Sequence, residues 1–145
     1  MSAARLAARA LEVLGAVDGP VVVACPPRLA AAVAARCRVA RPDGTGAGAV
    51  VAFLGEAARP EARQTLLRDL ARRLAPGAPL VLLDHNQPRA WWRRLAGALL
   101  LIGRGLAPGR ARYPAARELA ALGFGVELLR LTRGERVQVV RARRS

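Results

Sequence analysis

Asp84, His85 and Asn86 stand together in a chain that has a single histidine. A neutral imidazole beside a carboxylate can take a proton from an attacking hydroxyl or amine, which makes His85 and Asp84 the candidate catalytic pair. The apolar run PLVLLD at 79 to 84 leads into them as a buried strand, and open α/β sheets take their ligands at the carboxyl ends of strands. Neighbours on a strand point to opposite faces. A polar turn that caps the following helix therefore fits the same triplet.

The second candidate is VVVACPPRLAAAV, residues 21 to 33, which begins as a short β-branched strand and continues as a helix. Nucleotide-binding α/β units place glycines at such a junction, so that backbone N–H groups come close to the ligand. Here the junction is Cys25-Pro26-Pro27. Proline has no N–H, so two donors are deleted and their rings fill the space, while Cys25 offers only a weak donor.

Asp43 lies 18 residues beyond Cys25, close to the ~20-residue offset at which a dinucleotide-binding fold places the acid that holds ribose hydroxyls. Its setting, Pro42-Asp43-Gly44, is equally an ordinary turn. No metal site is expected, because eleven residues lie between Cys25 and Cys37, with no CxxC pair and one histidine to help them. Trp91-Trp92-Arg93-Arg94 suits an interfacial membrane element, a platform for bases, or a helix packed on the sheet. Two adjacent tryptophans cannot both face inward on a helix.

The elements that must position these residues are legible from periodicity. Leu6, Ala10, Leu11 and Leu14 form one stripe of a helix over 3 to 14, closed by Gly15. Strand 21 to 25 is followed by a helix over 27 to 36 with Pro27 at its first position, and CRVA at 37 to 40 reads as a weak second strand. AVVAFLG at 49 to 55 is a third strand, and a long helix runs from Pro60 to the Pro76-Gly77 stop with Leu66, Leu67, Leu70 and Leu74 along one side. Strand 79 to 84, helices over 88 to 102 and 114 to 122, and a hairpin of 124 to 132 with 135 to 143 around Arg133-Gly134 complete the order.

That order predicts an α/β sandwich with a mostly parallel sheet and an antiparallel C-terminal edge. Only nine residues, 40 to 48, separate the second and third strands. They can return along a short strand, but they leave nothing for a crossover helix. One face of the sheet is expected to be thinly covered there, which favours a homodimer or a protein partner.

A length of 145 residues and 53% apolar composition suit one domain, 1 to 145, with a real core. The net charge of +14 comes from arginine alone, with no lysine, and only Arg141, Arg143 and Arg144 cluster. Nucleic-acid binding is expected to be weak, non-specific and salt-sensitive at most. Glu12 and Asp18 interrupt any leader-like apolar stretch, and LAGALLLIG at 95 to 103 is well short of the ~20 residues that span a bilayer. A cytoplasmic protein with reduced cysteines is expected.

AVVAFLGEAARPEARQTLLRDLARRLAPGAPLVLLDHN, and then ARELAALGFGVELLRLTRGERVQVVRARR, together resemble the C-terminal half of class I S-adenosylmethionine-dependent methyltransferases. The resemblance covers about two thirds of the chain and implies a Rossmann-like three-layer sandwich with S-adenosylmethionine as cofactor. It implies that Cys25 replaces the family's Gly-x-Gly turn, and that Gly55 and Glu56 line the cofactor cleft with Cys25 and Asp43; Glu56 is equally a plain surface acid. The family's third strand and its flanking helices have no counterpart. The expectation is a methyltransferase-like protein of unidentified acceptor with weak or lost cofactor binding and reduced or no activity. The alternatives are a non-catalytic remnant that binds a partner and an arginine-rich nucleic-acid-binding module.

Overall fold

The computed structural model describes residues 2–54, 60–86, 91–103, 114–132 and 136–145. In chain order the elements are α1 Ala3–Leu14, β1 Val21–Ala24, α2 Pro27–Ala34, β2 Gly48–Ala52, α3 Pro60–Arg73, β3 Pro79–His85, α4 Trp91–Ile102, α5 Pro114–Ala121, β4 Phe124–Thr132 and β5 Val137–Arg144. The start of α1 is set by Ser2, whose hydroxyl accepts the Arg5 N–H, and its end by Gly15 at φ 80°, a left-handed conformation that glycine adopts without penalty.

The five strands form one mixed sheet in the order β1-β2-β3-β5-β4. β1, β2 and β3 are parallel neighbours, while β5 runs antiparallel to both β3 and β4. The last strand therefore enters between β3 and β4, and the hairpin's first strand becomes the edge. Arg133 and Gly134, expected to turn that hairpin, lie outside the described residues.

Side chains that alternate along each strand feed two apolar clusters. Val22, Ala49, Val51, Leu80 and Leu82 meet Leu67 and Leu70 of α3, Leu74 just beyond it, and Ala115 and Leu119 of α5. Val21, Val50, Ala52, Val81 and Leu83 meet Leu6, Ala10, Val13 and Leu14 of α1 and Leu29 and Val33 of α2. Because successive residues of a strand point to opposite faces, these clusters lie on the two sides of the sheet. Leu80, Val81, Leu82 and Leu83 are all fully buried, each worth about 1.5–3 kcal/mol of burial, so β3 is the spine that both clusters share.

The second strand expected at 37 to 40 contracts to a single parallel bridge between Val39 and Val21. The Val21 N–H donates to Arg38 O at 2.8 Å and the Ala40 N–H to Val21 O at 2.9 Å, and the ladder goes no further. The physical reason is the short return to β2: with no crossover helix to cover it, Val39 stays 39% exposed, and lengthening the strand would bury nothing.

The return segment instead crosses at the carboxyl end of α3. Gly46 donates to Arg73 O at 2.8 Å, Ala75 donates back to Gly46 O at 3.4 Å, and Arg73 donates to the carbonyls of Gly44 and Arg41 at 3.0 and 2.9 Å. An open groove of about 480 Å³ lies between the end of β1 and α3, lined by Ala24, Leu66, Asp69, Leu70 and Arg73 among others.

The basic cluster at the end of the chain is structural. Arg141 donates to Val13 O and pairs with Glu127, Arg143 pairs with Glu127 and donates to Gly77 O, and Arg144 donates to Leu74 O. These contacts fasten β5 to α1, to β4 and to the turn after α3. Helix α4 differs from expectation in the other direction: Trp91 is 76% and Trp92 54% exposed, so neither enters the core.

Gly46 has no room for a side chain. A Cβ there would lie 2.5 Å from Val22 Cγ2 and 3.0 Å from Gly48 O, and neither a buried valine nor backbone yields cheaply. Gly46→Ala should lower unfolding stability by about 1–3 kcal/mol, the usual cost of overpacking, measured by urea denaturation; an unchanged midpoint would show that the crossing segment moves freely.

Candidate functional site at the carboxyl edge of the sheet

The parallel strands β1, β2 and β3 end side by side at Cys25, Phe53 and His85. Phe53 takes φ 53°, a left-handed conformation outside glycine that costs about 1–2 kcal/mol. Its N–H donates to Leu83 O at 2.8 Å, and its ring lies 4.8 Å from that of His85. The kink ends β2 and lays an aromatic face against the imidazole. His85 is half-buried and points to the side of the sheet that carries α1 and α2.

Asp84 points the other way. It is 5% exposed; its Oδ2 lies 2.6 Å from Arg63 Nη2, and its Oδ1 accepts the His85 backbone N–H at 2.8 Å. Arg63, from the first turns of α3, also donates through Nε to Glu118 of α5 at 2.7 and 3.0 Å. Burial alone would lower the Arg63 pKa, but the two carboxylates outweigh it and hold the guanidinium above its ordinary value. Asp84 and His85 are therefore adjacent in the chain while their side chains serve opposite faces.

Around Asp84 the buried polar residues gather. Among the described residues, the buried polar or charged ones are Arg63, Asp84, Asn86 and Gln138. Gln138 stands opposite Asp84 in the β3–β5 ladder and donates to His85 O at 3.0 Å, and the Asn86 N–H donates to Arg136 O at 2.8 Å. Reading the sequence missed Arg63, Glu118 and Gln138. The signal for Arg63 was present: it falls at helical spacing on the Leu67, Leu70 and Leu74 stripe, and a charge on a buried stripe needs a buried counter-charge.

Cys25 is half-buried, with its thiol directed to Val50 O at 3.5 Å. Burial pushes its pKa up to about 12, against the lowering effect of nearby backbone hydrogen bonds. Pro26 is the N-cap of α2 at φ −53° and ψ 146°, with no side-chain capping bond, and Pro27 opens the helix. Leu29 and Ala30 donate to Pro26 O, both at 2.9 Å. Arg28 thus supplies the first N–H of this turn.

Asp43 is exposed, at the third position of a β-turn closed by the Gly44 N–H on Arg41 O at 2.9 Å. The turn is fastened by Arg73 to the carboxyl end of α3, so the structure does not group Asp43 with Cys25, Phe53 and His85. Gly55 and Glu56 lie outside the described residues. No group of His, Cys, Asp and Glu suited to a metal ion occurs among the described residues.

With this geometry in hand, solved structures supply the comparison. The chain is similar to the pyocyanin biosynthetic protein PhzM, with a TM-score of 0.68 at 15% identity over 97% of this chain and 55% of PhzM. It is similar to the mitomycin 7-O-methyltransferase MmcR, with 0.64 at 21% identity over 99% and 53%. For the N-methyltransferase NodS from Bradyrhizobium japonicum WM9 the values are 0.63 at 13% identity over 97% and 94%; NodS has also been solved in complex with S-adenosyl-L-homocysteine. The chain has a class I methyltransferase-like fold. It spans about half the length of PhzM and MmcR and nearly all of NodS. No protein-family model and no curated protein matches the sequence.

Removing Arg63 would leave Asp84 buried beside a second carboxylate. Arg63→Ala should cost about 3–5 kcal/mol, as breaking a buried ion pair does. Arg72→Ala, which removes a pair with Asp69 between side chains 77% and 58% exposed, should cost less than about 1 kcal/mol. Equal losses in urea unfolding would show that the Arg63 tie carries no special weight.

The two cysteines should differ in reactivity, because the thiolate is the attacking form. At pH 8 iodoacetamide should modify Cys37 at least about tenfold faster than Cys25, read by peptide mass spectrometry; equal rates would contradict the enclosed thiol. Folding favours the protonated Cys25, so this stabilisation is complete below the ordinary thiol value of 9.0 and is lost as the pH climbs through about 12.

Proposed function

We propose that the chain, one domain from 1 to 145, is a methyltransferase-like protein that holds S-adenosylmethionine weakly or not at all and works by binding rather than by methyl transfer. The observation that carries this reading is the end of β1. A cofactor seated there would need backbone donors and space, and Pro26 and Pro27 supply neither. The thiol of Cys25 does not replace them, since it is turned inward to Val50 O.

Asp43 does not repair the loss, because its turn is committed to Arg73. Gly55 and Glu56 are the remaining candidates to line the cleft. The described residues thus do not fit the cofactor in the family's manner. Asp84 and Glu118 are likewise committed to Arg63, which makes Asp84 a positioning residue for the end of β3 rather than a proton carrier.

A second reading, retained methyl transfer to an unidentified acceptor with a different grip on the cofactor, draws on His85. Its half-buried imidazole at the carboxyl edge, braced by the strained Phe53, is suited to accept a proton from an acceptor hydroxyl or amine.

Calorimetric titration separates the two. Binding-only function predicts no saturable heat with S-adenosylmethionine up to about 1 mM, an affinity worth only about 4 kcal/mol. Micromolar binding would overturn it. In that event Asp43→Ala should weaken binding by about 1–3 kcal/mol if this residue holds the ribose, whereas His85→Ala should spare binding and reduce turnover.

A further inference from the structure

Of the nine exposed large hydrophobic residues among those described, six lie on α4: Trp91, Trp92, Leu95, Leu99, Leu100 and Ile102. At about 100° per residue these six, with exposed Ala96, occupy one unbroken half of the helix, while Arg93, Gly97 and Ala98 are half-buried on the other. A helix of a soluble domain ordinarily turns its apolar stripe to the core. Here the stripe is turned outward.

Charge decides what covers it. Each copy of the chain carries +14, so two copies repel across any shared face. Between Asp84 and Glu118 the chain has seven arginines and no acidic residue, which calls for an anionic occupant. Arg93 lies 4.8 Å over the Trp92 ring, an arrangement in which the indole enters an apolar layer while the guanidinium stays at its polar boundary. A protein partner would need a groove with an apolar floor and an acidic rim shaped to this convex half-cylinder; an anionic lipid surface presents both without any matching shape. Twelve residues of helix extend about 18 Å against a hydrocarbon core of about 30 Å, and no helix among the described residues is long and apolar enough to cross a membrane.

We infer that α4 is an interfacial helix, which lies in the plane of an anionic lipid surface with the Trp91, Leu95, Leu99 and Ile102 side submerged and Arg93 on the headgroup phosphates. This inference rests on the outward face of α4, on Arg93 beside it and on the basic stretch of sequence that contains it, and holds whether or not a cofactor binds.

Trp91 and Trp92 are the only tryptophans in the chain, so their emission reports on α4 alone. The full chain should sediment with phosphatidylcholine vesicles that contain about 30% phosphatidylglycerol, with a blue-shifted emission, and bind pure phosphatidylcholine at least about tenfold more weakly, since each basic residue near an anionic surface contributes severalfold. The double substitution Leu95→Glu, Leu99→Glu, at exposed positions that leave the circular dichroism spectrum unchanged, should abolish both effects. Equal binding to the two vesicle types would overturn the anionic assignment. Anionic binding that survives the double substitution without a blue shift would place the contact elsewhere. No vesicle binding, with a dimer that the double substitution dissociates, would overturn the inference in favour of a second copy.

Discussion

Arg63 holds three elements to one point. Its guanidinium reaches Asp84 at the end of β3 at 2.6 Å and Glu118 on α5 at 2.7 Å, from a position on α3 that is 6% exposed. The three charges sum to a net negative, and taking them out of water is costly unless each is bonded. That cost is what makes the arrangement selective: α3 and α5 can slide against the apolar face in many ways, but few of them keep both carboxylates on one guanidinium. The same tie places Oδ1 of Asp84 on the His85 backbone N–H, and the end of β3 is thereby set. The half-buried His85 ring and its contact with Phe53 depend on it.

A second constraint acts at the β1 edge of the sheet. The connection from Val39 to β2 has no length for a helix, so the bridge to Val21 is all that forms. Gly46 allows the segment to pass within a side chain's width of Val22 and reach the end of α3. A fold that ordinarily continues past β1 stops there. The loss falls on the half of the sheet where a nucleotide-binding α/β fold supplies its glycine turn and ribose acid. The proline turn and the shortened edge both fall in the N-terminal third, while β2 to β5 form the rest of the sheet.

The legible parts of the sequence were those governed by local periodicity. Helix α1, with its Gly15 stop, and the long leucine stripe of α3 follow from spacing alone, as do β1 and β3. The strand at 37 to 40 was misjudged because β-propensity reports fitness for a half-buried surface, and burial there depends on a covering helix that the chain lacks. Insertion of β5 between β3 and β4 was not legible, because pairing order is decided by tertiary contacts. For the site, alternation correctly separated Asp84 from His85. It did not reveal that Asp84 is occupied, since Glu118 is 55 residues away from Arg63 and no local pattern links them.

The groove beside α3 and the outward half of α4 differ in kind, and the difference bears on what each can bind. The groove beside α3 is concave, lined by Ala24, Leu66, Leu70, Asp69 and Arg73. It carries charges of both signs, Asp69 and Arg73, at its side. The outward half of α4 is convex, wholly apolar and set within a purely basic stretch of chain. An accidental loss of packing would leave a mixture of polar and apolar residues facing water. A seven-residue apolar arc with Arg93 at its border requires the hydrophobic choice to be repeated at every outward position, and solvent alone gives no reason for that repetition.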